Sequence, residues 1–121
     1  MNKKQLIGRL TNEPEIAYST TNDGELARAK FTLAVDRPKN REKTDFIRCI
    51  AWGGVAQIIE KYVQKGYRVG IVGHIETGSY KHKDGYTVYT TDVVAEDIDL
   101  LEPKHDNQQS DSNGAFGNVN Y

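Results

Sequence analysis

At 121 residues the chain is long enough for one domain with its own hydrophobic core and short for two. The single cysteine, Cys49, excludes an intrachain disulfide, no window approaches a membrane span, and MNKKQLIGRL holds no apolar stretch of signal-peptide length, so a cytoplasmic protein is expected. A formal net charge of −1 looks poor for a partner of an acidic polymer, but the distribution is lopsided: Arg28 to Arg48 holds seven basic residues against three acids, and Asp92 to Glu102 holds five acids and no base.

KKQLIGRL opens the chain as a strand, TNEPE bends it around Pro14, and TNDG at 21–24 is a strong turn signal. LARAKFTLAVD, 26–36, alternates with period two. Ala27, Ala29, Phe31, Leu33 and Val35 share one face, while Arg28, Lys30, Thr32 and Ala34 share the other, a half-buried strand with a basic wet side. RPKNREKT, 37–44, is a polar loop. DFIRCIAWGG, 45–54, then sends Ile47, Cys49 and Ala51 to one side and Phe46, Arg48, Ile50 and Trp52 to the other. The first set is small and apolar and supplies the core, with Cys49 as a buried thiol. The second carries two aromatics around an arginine, where a merely solvated face would read Lys, Glu, Thr and Ser.

After Gly53 and Gly54 the period changes. Val55, Ile58, Ile59, Tyr62 and Val63 recur at helical spacing, with Gly66 as the expected C-terminal cap. YRVGIVGHIETGSY returns to strand, with Gly70 and Gly73 suited to a bulge or to tight curvature. KDG at 83–85 turns the chain into a last strand, YTVYTTDVVAEDIDLL. From Pro103 the composition becomes Asn, Gln, Ser, Asp and Gly, so residues 103–121 are expected as a disordered polar tail behind a domain of residues 1–102. Three strands, a helix and two strands is the order of the all-β OB-fold, a five-stranded Greek-key barrel with one helix between strands 3 and 4.

No catalytic constellation emerges. His74, His82 and His105 stand among no cysteines, HExxH, Walker and GxSxG patterns are absent, and Asp97 and Asp99 read as solvent-facing carboxylates at a strand end. KGY at 65–67 mimics the start of an RNA-recognition-motif signature and fails at Arg68. Neither an enzyme nor a cofactor is expected. What remains is aromatic and basic residues interleaved on strands: Phe46, Trp52, Tyr80, Tyr86 and Tyr89 with lysines and arginines between them. A base stacked on an aromatic ring gains roughly 1–3 kcal/mol whatever the base, and nearby cations can meet the phosphates.

The run NKKQLIGRL with T-x-x-P behind it, FTLAVDR, DFIRCIAWG, KYVQKG, VGIVGHIETGSY, DG with VYTTDVVAE, and the closing LLEP resemble, in this order and spacing, the bacterial and phage single-stranded DNA-binding protein family. The similarity runs from about Asn2 to Lys104. It implies sequence-independent binding of single-stranded DNA in replication, recombination and repair, by a homotetramer of OB-folds, with stacking at Phe46, Trp52 and Tyr80 and basic contacts at Lys3, Arg48 and Lys65. Arg9, Lys30 and Arg37 are further candidates for phosphate contact. The chain departs from the family in having Glu76 and Gly78 before the third stacking position, and Gly54 and Val88 at other familiar basic positions. It ends NGAFGNVNY, where relatives carry an acidic run closed by Pro-Phe that hooks replication and repair proteins. The acidic stretch Asp92–Glu102 supports a rival reading, an OB-fold module for protein contact in a replication-restart or recombination assembly. Ile50 and Val72, on outward faces, are candidate interface residues.

Overall fold

The computed structural model describes residues 1–102; the expected polar tail and its terminal NGAFGNVNY lie outside the described residues. The elements are β1 (Lys4–Leu10), β2 (Glu15–Thr21), β3 (Gly24–Asp36), β4 (Thr44–Trp52), α1 (Gly53–Tyr62), β5 (Arg68–Lys81) and β6 (Thr87–Leu100). The strands hydrogen-bond in the order β1-β5-β6-β4-β3-β2, and β1 also pairs with β3 through Arg9↔Ala34 and Leu10↔Leu33. That last pairing closes β1, β5, β6, β4 and β3 into the five-stranded ring of an OB barrel.

The sixth strand, β2, has no counterpart in the expected five-strand order. It lies outside the ring, paired with Gly24–Lys30 of β3, while β1 takes the farther part of the same β3 edge. Pro14 accounts for the division: without an amide N–H it interrupts the edge between β1 and β2. The turn expected at TNDG holds, with Thr21 paired to Gly24 and the Thr21 hydroxyl donating to the Gly24 carbonyl at 2.8 Å.

The period-two pattern fixes the interior. Ala27, Ala29, Phe31 and Leu33 of β3, Cys49 and Ala51 of β4, Val69 and Ile71 of β5, and Val93 and Ala95 of β6 are all buried. The helix lays Ala56 and Ile59 on this core, and Val63 just beyond it is buried too. Truncating a side chain such as Leu33 would cost about 2–5 kcal/mol. The helix ends earlier than its spacing suggests. Val63 is the C-cap, extended, with its N–H on the Ile59 carbonyl. Gly66 instead serves the following turn at φ +86, where its N–H donates to Leu10 and thereby ties the α1–β5 connection to β1.

The curvature expected at Gly70 and Gly73 resides in one of them. The β5–β6 register slips between Val72 and Gly73, so that Glu96 is the extra, unpaired residue of β6. A Cβ on Gly73 would fall 2.0 Å from the Val94 carbonyl oxygen, whereas one on Gly70 would meet nothing closer than 3.6 Å. Gly73 is required by backbone approach; Gly70 is not.

Candidate nucleic-acid interface

The outer surface of the barrel follows from the registers. Opposite Phe46, Arg48, Ile50 and Trp52 of β4 stand Ala34, Thr32, Lys30 and Arg28 of β3. On the other flank Ile50 pairs with Val94 of β6, which pairs with His74 of β5, and the same outer rows continue through Asp92 and Glu76, Thr90 and Gly78, and Val88 and Tyr80. One curved face therefore carries all three expected stacking residues. Phe46 is 67% exposed, Tyr80 55% and Trp52 42%, and the opposite side of β4 is already filled by Cys49 and Ala51. Burial does not explain these rings. Phe46 and Trp52 lie six positions apart on β4, about 20 Å at strand rise. Tyr80 stands on the far arm of the β5–β6 hairpin, which His82 and Tyr86 brace by stacking at 4.5 Å.

The cations are less free than the sequence suggests. Lys3 Nζ lies 2.5 Å from Glu96, Arg9 2.5 Å from Glu102, Arg37 3.0 Å from Asp45 and Arg48 3.3 Å from Asp92. Arg37 grips Asp45 through Nε and Nη2 across the polar loop, which raises the Arg37 pKa and lowers that of Asp45. Exposed pairs of this kind are weak, about 0–1 kcal/mol, so a phosphate can displace the carboxylate. Lys30 has no such partner among the described residues and shares a shallow groove with Arg48, Ile50 and Asp92. Lys65 sits in the α1–β5 turn, whereas Arg9, paired with Ala34 at the β1–β3 seam, lies on the outer row that continues to Phe46.

The five acids of the 92–102 stretch prove to be mostly counter-ions: Asp92, Glu96 and Glu102 each hold a cation of the barrel itself. Glu96, pushed outward by the bulge, accepts from His74 Nδ1 at 2.6 Å, and Glu76 lies 2.7 Å from Nε2. Both ring nitrogens can donate only in the imidazolium form, so the contacts to Glu76 and Glu96 raise the His74 pKa, while Lys3 and then His74 lower that of Glu96. Cys49 is buried as expected, and desolvation pushes its thiol up to about 12. Ile50 and Val72 face outward and are half-buried.

Two features escaped the linear pattern. An apolar recess opens beside Phe46, where inward-facing Leu6, Ile47, Ile75 and Val93 reach the barrel mouth. Arg28, one of the wet-side residues of β3, stands directly across from Trp52. Alternation placed it on the basic face; only the β3–β4 register brings it to the ring.

A closed five-stranded barrel with one capping helix, carrying exposed aromatics among cations on a single outer face, defines an OB-type protein with a surface suited to unstacked bases. Residues 1–101 match the model of the single-strand binding protein family, and the chain belongs to that family. It is 42% identical over 118 residues to a single-stranded DNA-binding protein of Clostridium perfringens, covering 98% of this chain and 77% of that protein. It is 43% identical to single-stranded DNA-binding protein 3 of Clostridium acetobutylicum (99% and 84% covered) and 39% identical to single-stranded DNA-binding protein 3 of Streptococcus agalactiae (99% and 91% covered).

Proposed function

We propose that the chain binds single-stranded DNA without sequence preference and coats it during replication, recombination and repair. Phe46, Trp52 and Tyr80 stack bases, and Lys3, Arg9, Lys30, Arg37, Arg48 and Lys65 meet phosphates. The observation that carries this reading is Phe46: a phenyl ring two-thirds exposed near the start of β4, on the same face as Arg48 and opposite the face that buries Cys49 and Ala51. Its role is binding, with no bond made or broken. Ile7, 54% exposed on β1, with Val72 and Ile50 facing outward, supports assembly of several barrels, and we place the assembly as a homotetramer in the cytoplasm on nucleoid DNA. The rival reading as a protein-contact module loses its main support, because three of the five acids that suggested it neutralise the barrel's own cations.

The test is a titration of the only tryptophan, Trp52, with long oligothymidylate and with duplex of equal length. Quenching by the single strand alone is expected. Phe46→Ala should weaken binding by about 1–3 kcal/mol, roughly 5- to 150-fold, with an unchanged melting temperature. Unchanged affinity in that variant would remove the central residue of the proposal.

A further inference from the structure

Among the described residues, Arg9, Arg37 and Arg48 each pair with a carboxylate, and Arg28 pairs with none. It lies on the outer face, with the small Ala17 of β2 on one side and Trp52 of β4 directly opposite on the other. Directly opposed residues of antiparallel strands have Cβ atoms about 5 Å apart. A base lying on the indole would thus bring its flanking phosphate within reach of a guanidinium. The Arg28 Nε is shielded from solvent and has no hydrogen-bond acceptor among the described residues, a condition that costs free energy unless an anionic or carbonyl acceptor arrives. Lys30 follows on the same face, opposite Glu15 of β2 and in no ion pair among the described residues.

The stretch between Trp52 and Tyr80 has the reverse character. There Tyr80 is approached past Glu76 and Asp92, both on the same outer rows, and Glu76 is engaged with His74. Anionic backbone running on from Trp52 to Tyr80 must displace or pass these two carboxylates. Entering at Trp52 it meets Arg28, which is in no ion pair among the described residues, and then Lys30, which stands opposite Glu15 of β2.

We propose that Arg28 is a nucleic-acid contact residue that forms, with Trp52 and Lys30, the first-occupied end of the binding track. It grips the phosphate beside the base stacked on Trp52. This rests on the reading of the chain as a single-strand binder and adds a residue and a direction of loading to it. A short oligothymidylate then seats at Trp52 and Arg28, and only longer strands reach Tyr80.

The experiment is a Trp52 fluorescence titration of the full chain with a short and a long oligothymidylate at several salt concentrations. Arg28→Gln should weaken binding of the short strand several-fold and lower the slope of log K against log[salt] by about 0.7, one single-strand phosphate contact. Tyr80→Ala should weaken the long strand and leave the short one unchanged. Arg28→Gln with wild-type affinity and slope would overturn the proposal, as would a short strand that depends on Tyr80. Loss of binding by the wild-type chain itself would instead refute the underlying function. Should Arg28→Gln fail to fold, the Arg28 Nε–H resonance of the wild-type protein serves. Its shift at saturation with the short strand supports the contact, and a resonance that stays in place overturns it.

Discussion

Replacing Asp92 by asparagine should make the protein bind single-stranded DNA more tightly, although the change deletes an ion pair. Asp92 Oδ1 lies 3.3 Å from Arg48 Nε, and the arginine side chain is 60% exposed. Such a pair contributes at most about 1 kcal/mol to folding, so the variant should melt within a few degrees of wild type. In the proposed complex with single-stranded DNA the same carboxylate would face a phosphate. At a separation of about 6 Å the repulsion is about 0.7 kcal/mol in a water-like dielectric and about 3 kcal/mol at the value suited to protein surfaces. Screening at about 0.1 M salt removes nearly half of either figure, leaving roughly 0.4–1.5 kcal/mol, or about a two- to tenfold gain in affinity. Freed from its partner, Arg48 should also count as a fuller phosphate contact, and the salt slope should steepen by up to about 0.7. Fluorescence titration of Trp52 at several salt concentrations reads both quantities. Weaker binding by Asp92→Asn, with folding intact, would mean that Asp92 positions Arg48 for the strand rather than competing with it. Equal binding at every salt concentration would mean that no phosphate passes this part of the face.

Other expectations concern the scaffold. Gly73→Ala places a methyl group 2.0 Å from the Val94 carbonyl oxygen, so β5 and β6 must part at the bulge, whereas Gly70→Ala has room. Chemical denaturation should show Gly73→Ala destabilised by about 2 kcal/mol or more and Gly70→Ala within about 1 kcal/mol of wild type; equal effects would contradict the close approach. The His74 bridge is a pH-dependent element. Its pKa is raised above the ordinary 6.5, so its contribution is complete below that value and fades as pH climbs through the folded-state pKa. Glu96, lowered from 4.5, contributes above that value and loses its contribution as pH falls through its own folded-state pKa. Denaturation of wild type and His74→Gln across this range should show the wild-type advantage shrinking on the alkaline side, and an advantage independent of pH would refute the bridge.

Much of the candidate site is visible in local pattern. Phe46, Arg48, Ile50 and Trp52 fall on one side of β4 because successive side chains of any strand point to opposite faces, a property of the pleated backbone that needs no partner. The core falls out of the same alternation, which is why Cys49 and Ala51 are buried as read. The helix between strands 3 and 4 of the barrel is also legible in chain order, although its apolar spacing runs on toward Gly66, a glycine whose left-handed φ belongs to the next turn.

The charge state of the face belongs to tertiary structure. Arg28 and Arg48 look alike in their strands, each basic and each on the wet side. One is paired to Asp92, 44 positions further along, and the other stands opposite Trp52, in no ion pair among the described residues. The extra residue at Glu96 shifts β6 by one place against β5 and delivers a carboxylate to Lys3 and His74. The direction of a side chain is set by the backbone of its own strand, so it is written in the sequence. Its electrostatic partner is set by the register between strands distant in the chain, and that register exists only once the barrel has closed.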